Sequence, residues 1–229
     1  CHAKTGRAKS LTGKTDYCLL VATLGDSSDV SFEPNIKWTP NSKSLLVRIG
    51  HHGAVQTIRF ARSGRGEPVA LTSGQKVHDH ANIAKGLMPM SIESPTRPTE
   101  IHVMSVNGGT PRRLTHCNDA LLKERLVAKP SMHWITSPDG NRVQVWMLTP
   151  PKLKKARRRP AALQVHGGPH CQYGCMFFNE FQCQAGAGFV VVYSNPRGSK
   201  GYGRDHCASI RGAWGTTDWT DIRAVADWM

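Results

Sequence analysis

Residues 165–174 read VHGGPHCQYG, a histidine and two glycines at the end of an apolar run with a proline after them, and residues 195–203 read NPRGSKGYG at the end of another. Glycines placed directly after a strand let the backbone come close to a substrate and aim its N–H groups at it. Such donors are what the oxyanion of a tetrahedral intermediate requires, and losing one typically costs ~3–4 kcal/mol of transition-state stabilisation. The chemistry these turns suit is attack on a carbonyl group.

Both turns follow strand signals. AALQV (161–165) leads into the first, and FVVVYS (189–194) is a near-continuous β-branched run, the pattern of a strand buried on both faces of a parallel sheet. Between them FFNEFQCQAGAG has helical spacing at Phe177, Phe178, Phe181 and Ala185, with glycines to end it. From Asp218 onward, Trp219, Ile222, Val225, Ala226 and Met229 fall on one helical face. Ahead of these elements, residues 131–151 form two alternating segments joined by PDGN, a hairpin signal. Strand, helix, strand, helix is the start of an α/β domain, in which ligands sit at the carboxyl ends of the strands.

The first half is patterned differently. GRAKSLT (6–12), GEPVALT (66–72) and GTPRRLT (109–115) each carry Gly followed six residues later by Thr. The second and third copies are 43 residues apart, within the ~40–45 residue period of a four-stranded propeller blade. A turn at residues 40–43 and glycine-rich hairpin signals after IRFAR and VMSV fit up-and-down strands. A closed propeller needs about four to eight blades, and residues 1–128 hold about three at this period. The expectation is a mixed fold, with a partial β-propeller over residues 1–128 followed by the N-terminal part of an α/β-hydrolase domain over residues 129–229.

Thirty Lys and Arg against sixteen Asp and Glu leave a net charge of +14, and six of the eight residues 152–159, KLKKARRR, are basic between flanking prolines. That run reads as an exposed loop. No apolar run approaches the ~18 residues of a membrane span, so a membrane protein of that kind is excluded. Seven cysteines without C-x-x-C pairing read as free, buried thiols in a reducing, cytoplasmic setting rather than a disulfide framework or zinc site. His51, His52, His78 and His80 have no carboxylate or cysteine at ligand spacing and are expected on the surface. Neither metal nor cofactor is expected.

The order of blade-like repeats, the SPDG hairpin, VHGGPHCQYG, FVVVYSNPRGSKGYG and IRGAWGTTDWTDI resembles the prolyl oligopeptidase family of serine peptidases, in particular its acylaminoacyl-peptidase and dipeptidyl-aminopeptidase-like members. The resemblance is dense from about residue 95 to residue 229 and holds at blade level only over 31–94. It implies a propeller that restricts access to short peptides and an α/β-hydrolase domain with a Ser, Asp, His triad. It also implies that His166 and Gly167 face the scissile carbonyl oxygen, through the Gly167 backbone N–H or a His166 side-chain donor. No G-x-S-x-G nucleophile elbow occurs in the 229 residues. RGSKG has Arg197 in the place of the first glycine, so Ser199 reads as a loop residue. Asp205 and His206 are adjacent, and their side chains diverge too far to align behind one serine. Because the triad order in this fold is Ser, Asp, His, all three are expected beyond Met229, and the chain is expected to be an internal piece that is inactive alone. Arg197 is open to two roles, holding a substrate carbonyl or carboxylate, or a structural salt bridge. The expected partner is a short peptide substrate, not a membrane or a nucleic acid. The alternative from another class is a non-catalytic basic propeller that binds an acidic partner or nucleic acid through residues 152–159.

Overall fold

The computed structural model describes residues 4–13, 15–27, 33–151 and 158–229. Most of the basic run, residues 152–157, lies outside the described residues. The first half folds as two successive four-stranded antiparallel meanders. One comprises β1 (Ile36–Trp38), β2 (Ser44–His51), β3 (Ala54–Ala61) and β4 (Val69–Ala70). The other comprises β5 (Val77–His80), β6 (Leu87–Ser94), β7 (Arg97–Ser105) and β8 (Arg112–Arg113). A single parallel pairing, Val55 with Val77, joins β3 to β5. Two of the three repeat copies, 66–72 and 109–115, fall on β4 and β8, the last short strand of each meander. The copy at 6–12 carries no strand. The turn before β2 forms where TPNS predicts it, with Ser42 at φ 55° and Asn41 Oδ1 accepting the Lys43 N–H at 3.0 Å.

After α1 (Asp119–Glu124), a mixed sheet is built from β9 (Ser131–Thr136), β10 (Arg142–Leu148), β11 (Ala161–Gln164) and β12 (Val190–Asn195), in the order β11-β12-β10-β9. β11 and β12 are parallel, while β10 is antiparallel to both its neighbours. The period of two in β10 and β12 sends side chains to both faces, and both faces are covered. Trp146, Leu148, Val191 and Tyr193 pack with Phe181 and Ala185 of α2 (Asn179–Gly186). Val143, Val145 and Val192 pack with Val225 of α4 (Thr217–Trp228), which follows the short α3 (Arg204–Ala208). β12 is therefore the doubly covered strand that its β-branched run predicts.

Three expectations are corrected. His78 and His80 are buried, at 3% and 2% exposure. Two residues apart on β5, they share one face of the strand, where His78 Nδ1 donates to the Val55 carbonyl (3.0 Å) and His80 Nδ1 meets Thr57 Oγ1 (3.1 Å). The buried side of α4 holds Asp221 and Val225, whereas Trp219 and Met229 of the predicted apolar stripe are exposed. An ion pair made by Asp221, described below, sets that rotation. Of the six described cysteines, all free, Cys171 and Cys175 are buried and Cys117 and Cys183 are exposed.

The two halves meet through backbone. Gly53, at the tip of the β2–β3 hairpin, accepts the Cys175 N–H at 2.9 Å, and a Cβ on Gly174 would lie 1.9 Å from the Gly53 carbonyl oxygen. Next to it the His52 ring stacks on Tyr202 (5.3 Å) and meets Trp134 edge-on (5.1 Å). The segment before β1 runs along the second half: Thr23 bridges Gln172 in parallel, and Asp26 accepts the Asn179 and Glu180 N–H groups (2.8 and 2.7 Å) at the start of α2. Asp16 does the same for the Arg204 N–H at α3.

Burial holds the His80 imidazole neutral, its pKa pushed down to about 4. The unfolded chain therefore binds this proton first, so its contribution to stability is complete above pH ~6.5 and is lost as pH falls toward 4. Denaturation midpoints measured across that window are expected to fall with acidification, and His80→Gln is expected to flatten the slope. Gly174→Ala is expected to cost ~3 kcal/mol or more in the same assay, since backbone rather than a movable side chain blocks the new methyl.

Candidate functional site

β11 and β12 run parallel in the register Gln164 to Tyr193, so both predicted turns leave the same edge of the sheet. In the first turn His166 is buried at 9% exposure, while Gly167 and Gly168 are open to solvent. Gly168 has φ 127° and is followed by a cis peptide to Pro169. A Cβ there would lie 2.8 Å from Cys171 Sγ and 3.3 Å from the Cys171 backbone nitrogen, so the turn closes only around glycine. The Gly167 N–H donates to no acceptor among the described residues, and nothing lies within 4 Å of where a Cβ on Gly167 would stand.

Side chains and backbone of the second turn hold the first. His166 reaches the Gly167 carbonyl through Nδ1 (2.9 Å) and Ser199 Oγ through Nε2 (2.9 Å), with its ring edge-on to Tyr173 (5.2 Å). Burial pushes the His166 pKa down, against a smaller upward pull from its hydrogen-bond partners. Asn195, the fully buried last residue of β12, accepts the Tyr173 N–H (2.8 Å) and donates to the Tyr173 carbonyl (2.8 Å) and to Tyr202 Oη (2.6 Å). Tyr202 then donates to Gln144 Oε1 of β10 (2.6 Å). His170 Nδ1 donates to the Gly198 carbonyl (2.9 Å), and the Lys200 N–H to the Cys171 carbonyl (2.9 Å).

Arg197, left between two roles by the sequence, is engaged by two carboxylates. Its Nε and Nη2 donate to the two oxygens of Asp221 (3.1 and 2.9 Å), and Nη2 also pairs with Asp139 (2.6 Å). Asp221, fully buried on α4, further accepts the Arg197 backbone N–H (2.8 Å) and Asn141 Nδ2 (3.0 Å). Burial acts against the Arg197 charge, and the hydrogen bonds to Asp221 and Asp139 outweigh it, so its pKa is raised. The Ser137 hydroxyl, with the Arg197 guanidinium behind it, holds the Asp139 carboxyl below its usual range. The cluster ties the second turn to α4 and to the β9–β10 hairpin.

The predicted site residues are thus partly brought together. His166, Gly167 and Ser199 form one unit, whereas Arg197 belongs to the buried ion pair. Ser199 and His166 touch as a nucleophile and base would, but Ser199 is 1% exposed and its Oγ also lies 2.6 Å from the Pro196 carbonyl. Among the described residues Asp205 makes no hydrogen bond or ion pair with this unit, while His206 donates through Nε2 to the Pro196 carbonyl (3.0 Å). Asn195 and Asp221 were not singled out in the sequence. A polar residue on the apolar side of a helix, four residues before Val225, was the available signal for Asp221. No three His, Cys, Asp or Glu side chains among the described residues converge to hold a metal ion, and no helix among them is long and apolar enough to cross a membrane. What the opening offers chemically is a fixed backbone donor for a developing negative charge.

Residues 175–229 match the sequence profile of the Prolyl oligopeptidase family. The chain is 31% identical over 222 residues to the uncharacterized peptidase YuxL of Bacillus subtilis, covering 97% of this chain and 34% of that protein. It is 25% identical over 199 residues to dipeptidyl-peptidase 5 of Porphyromonas gingivalis, covering 85% and 28%. The solved acylaminoacyl peptidase of Pyrococcus horikoshii superposes with a TM-score of 0.75 at 26% identity, over 86% of this chain and 30% of that one. The chain is a relative of the prolyl oligopeptidase family, and it spans about a third of the length of the curated relatives it matches.

Removing one partner of a buried ion pair strands the other charge. Asp221→Ala is expected to cost ~3–5 kcal/mol of stability by chemical denaturation. Replacing both partners, as Arg197→Met with Asp221→Leu, is expected to recover a large part of that loss.

Proposed function

We propose that this chain is the portion of a serine peptidase of the prolyl oligopeptidase family that carries propeller blades and half of the oxyanion hole, and that the whole enzyme hydrolyses short peptides. The carrying observation is that Gly167, exposed at the shared carboxyl edge of β11 and β12, has an N–H with no acceptor among the described residues. As a nucleophile adds to the peptide carbonyl, charge moves onto its oxygen, and a donor already in place costs no reorganisation at that moment. A side-chain role for His166 is disfavoured, because both ring nitrogens are turned to Gly167 and Ser199. Arg197 is assigned to structure rather than to substrate, since two carboxylates occupy its guanidinium.

Two meanders of four strands, each ending on a copy of the repeat, support reading residues 36–113 as two blades. In this reading residues 1–128 are the propeller part and 129–229 the hydrolase part, and residues 16–26 dock on the latter. The six described cysteines, all free, fit a reducing, cytoplasmic setting. The serine that forms the acyl-enzyme lies outside residues 1–229, since no G-x-S-x-G elbow occurs within them.

A fluorophosphonate, which reacts with activated serines, tests this on the longer protein that contains these residues. Peptide mapping is expected to find the label on a serine outside residues 1–229, together with hydrolysis of short peptidyl anilides. Residues 1–229 alone are expected to hydrolyse nothing and to remain unlabelled at Ser199. A longer protein that neither labels nor hydrolyses, or a label on Ser199, would overturn the assignment.

A further inference from the structure

The cleft between the segment before β1 and the second turn holds two thiols. Successive side chains of an extended chain alternate, which puts Tyr17 on one side of that segment and Asp16 and Cys18 on the other. Tyr17 packs edge-on against His51 (6.5 Å) and Phe60 (6.3 Å) of the β2–β3 hairpin. Asp16 and Cys18 are thereby turned toward α3. Asp16 accepts the Arg204 N–H at 3.0 Å, and Cys207 stands one turn further along the helix, on the same face as Arg204. The Gly50 N–H, donating to the Cys18 carbonyl (2.9 Å), fixes the height at which Cys18 sits.

Cys18, Cys207, Lys200 and Arg204 line one cavity of about 430 Å³. Both cysteines are free and half-buried. Cys18 Sγ donates to the Leu20 carbonyl (3.3 Å), and Cys207 Sγ lies 3.2 Å from His170 Nδ1. Burial pushes the Cys18 thiol pKa up, against the Lys200 ammonium, which pulls it down. Burial pushes the Cys207 thiol up as well, Cys18 adds to that rise, and Lys200 again opposes it. The two sulfurs act on one another and share one ammonium. The other described cysteines are placed differently. Cys171 is buried against Gly168, Cys175 donates to Gln75 Oε1 (3.1 Å), and Cys117 and Cys183 are exposed ahead of α1 and on α2.

We propose that Cys18 and Cys207 are a redox pair, oxidised to a disulfide by a small disulfide such as oxidised glutathione, and that the new bond latches residues 16–26 onto α3. Oxidised glutathione suits the cavity because it carries carboxylates, and Lys200 and Arg204 set two cations there against the one carboxylate of Asp16. The thiolate of one cysteine attacks the glutathione S–S bond, forming a mixed disulfide and releasing one glutathione thiolate. The second thiolate attacks the protein sulfur of the mixed disulfide and releases the other. The protein gives up two electrons and two thiol protons, and oxidised glutathione becomes two molecules of glutathione.

The test uses the longer protein that contains these residues, kept folded and equilibrated with oxidised and reduced glutathione. Remaining thiols are blocked with N-ethylmaleimide and the digest is mapped by mass spectrometry. The Cys18 peptide is expected joined to the Cys207 peptide by a bond that dithiothreitol removes. Cys207→Ser is expected to leave Cys18 unlinked, as a thiol or a glutathione adduct. Amide hydrogen exchange over residues 16–26 is expected to slow about tenfold or more on oxidation of the wild type, and to be indifferent to the oxidant in Cys207→Ser. Recovery of Cys18 and Cys207 without a link between them, or with either linked to another cysteine, would overturn the pair, and the wild-type map decides even if the variant does not fold. A Cys18–Cys207 link with unchanged exchange removes the latch.

Discussion

Gly174 and Gly53 meet backbone to backbone with no room for a side chain between them, and the rest of the architecture is referred to that contact. A Cβ on Gly53 would in turn lie 2.6 Å from the Trp146 ring, in the core of the second half. The tip of the β2–β3 hairpin is therefore inserted into the second half rather than laid against it. Its neighbours are all site-bearing: Cys175 follows the first turn, Tyr202 ends the second, and the Gly201 carbonyl accepts the His52 N–H at 3.0 Å. The meander half thus braces the two loops from which the Gly167 donor is presented, so packing in one half determines geometry in the other.

Two kinds of polar interaction finish the site, and they differ in tolerance. Around Asn195, Tyr173, Tyr202 and Gln144 the partners are neutral, and each hydrogen bond leaves a residue that has another. Around Arg197 the partners are charged, and the buried one, Asp221, needs the guanidinium to offset its desolvation, while Asp139 pairs from the exposed side. The first network sets where the turns sit relative to one another. The second anchors the outer turn to α4 and the β9–β10 hairpin, at a distance from the opening.

The second half was legible because its signals are local. FVVVYS specifies a strand covered on both faces, and PDGN specifies a hairpin whose Gly140 takes φ 88°. The HGGP turn could be placed at a strand end from its glycines alone. What could not be read depends on partners distant in sequence. Trp219 and Asp221 compete for the buried side of α4, and the outcome follows from Arg197, 24 residues earlier. His78 and His80 look like surface residues until Val55 and Thr57 are known to face them across 23 residues. The repeat copy at 6–12 has the composition of its fellows, yet it carries no strand. The contact between His166 and Ser199 joins two turns that the sequence separates by 33 residues.

The segment carrying Asp16, Thr23 and Asp26 has a consequence for how the chain is assembled. Its acceptors cap helices that begin 153 and 188 residues later in the chain. Contacts of such separation form only after most of the chain has been ordered, because loop-closure entropy is lost before they return anything. The segment is therefore a late-docking element, a clasp that closes over α2 and α3 once they exist. Until then its apolar residues Val21 and Ala22, buried in the finished fold, stand exposed.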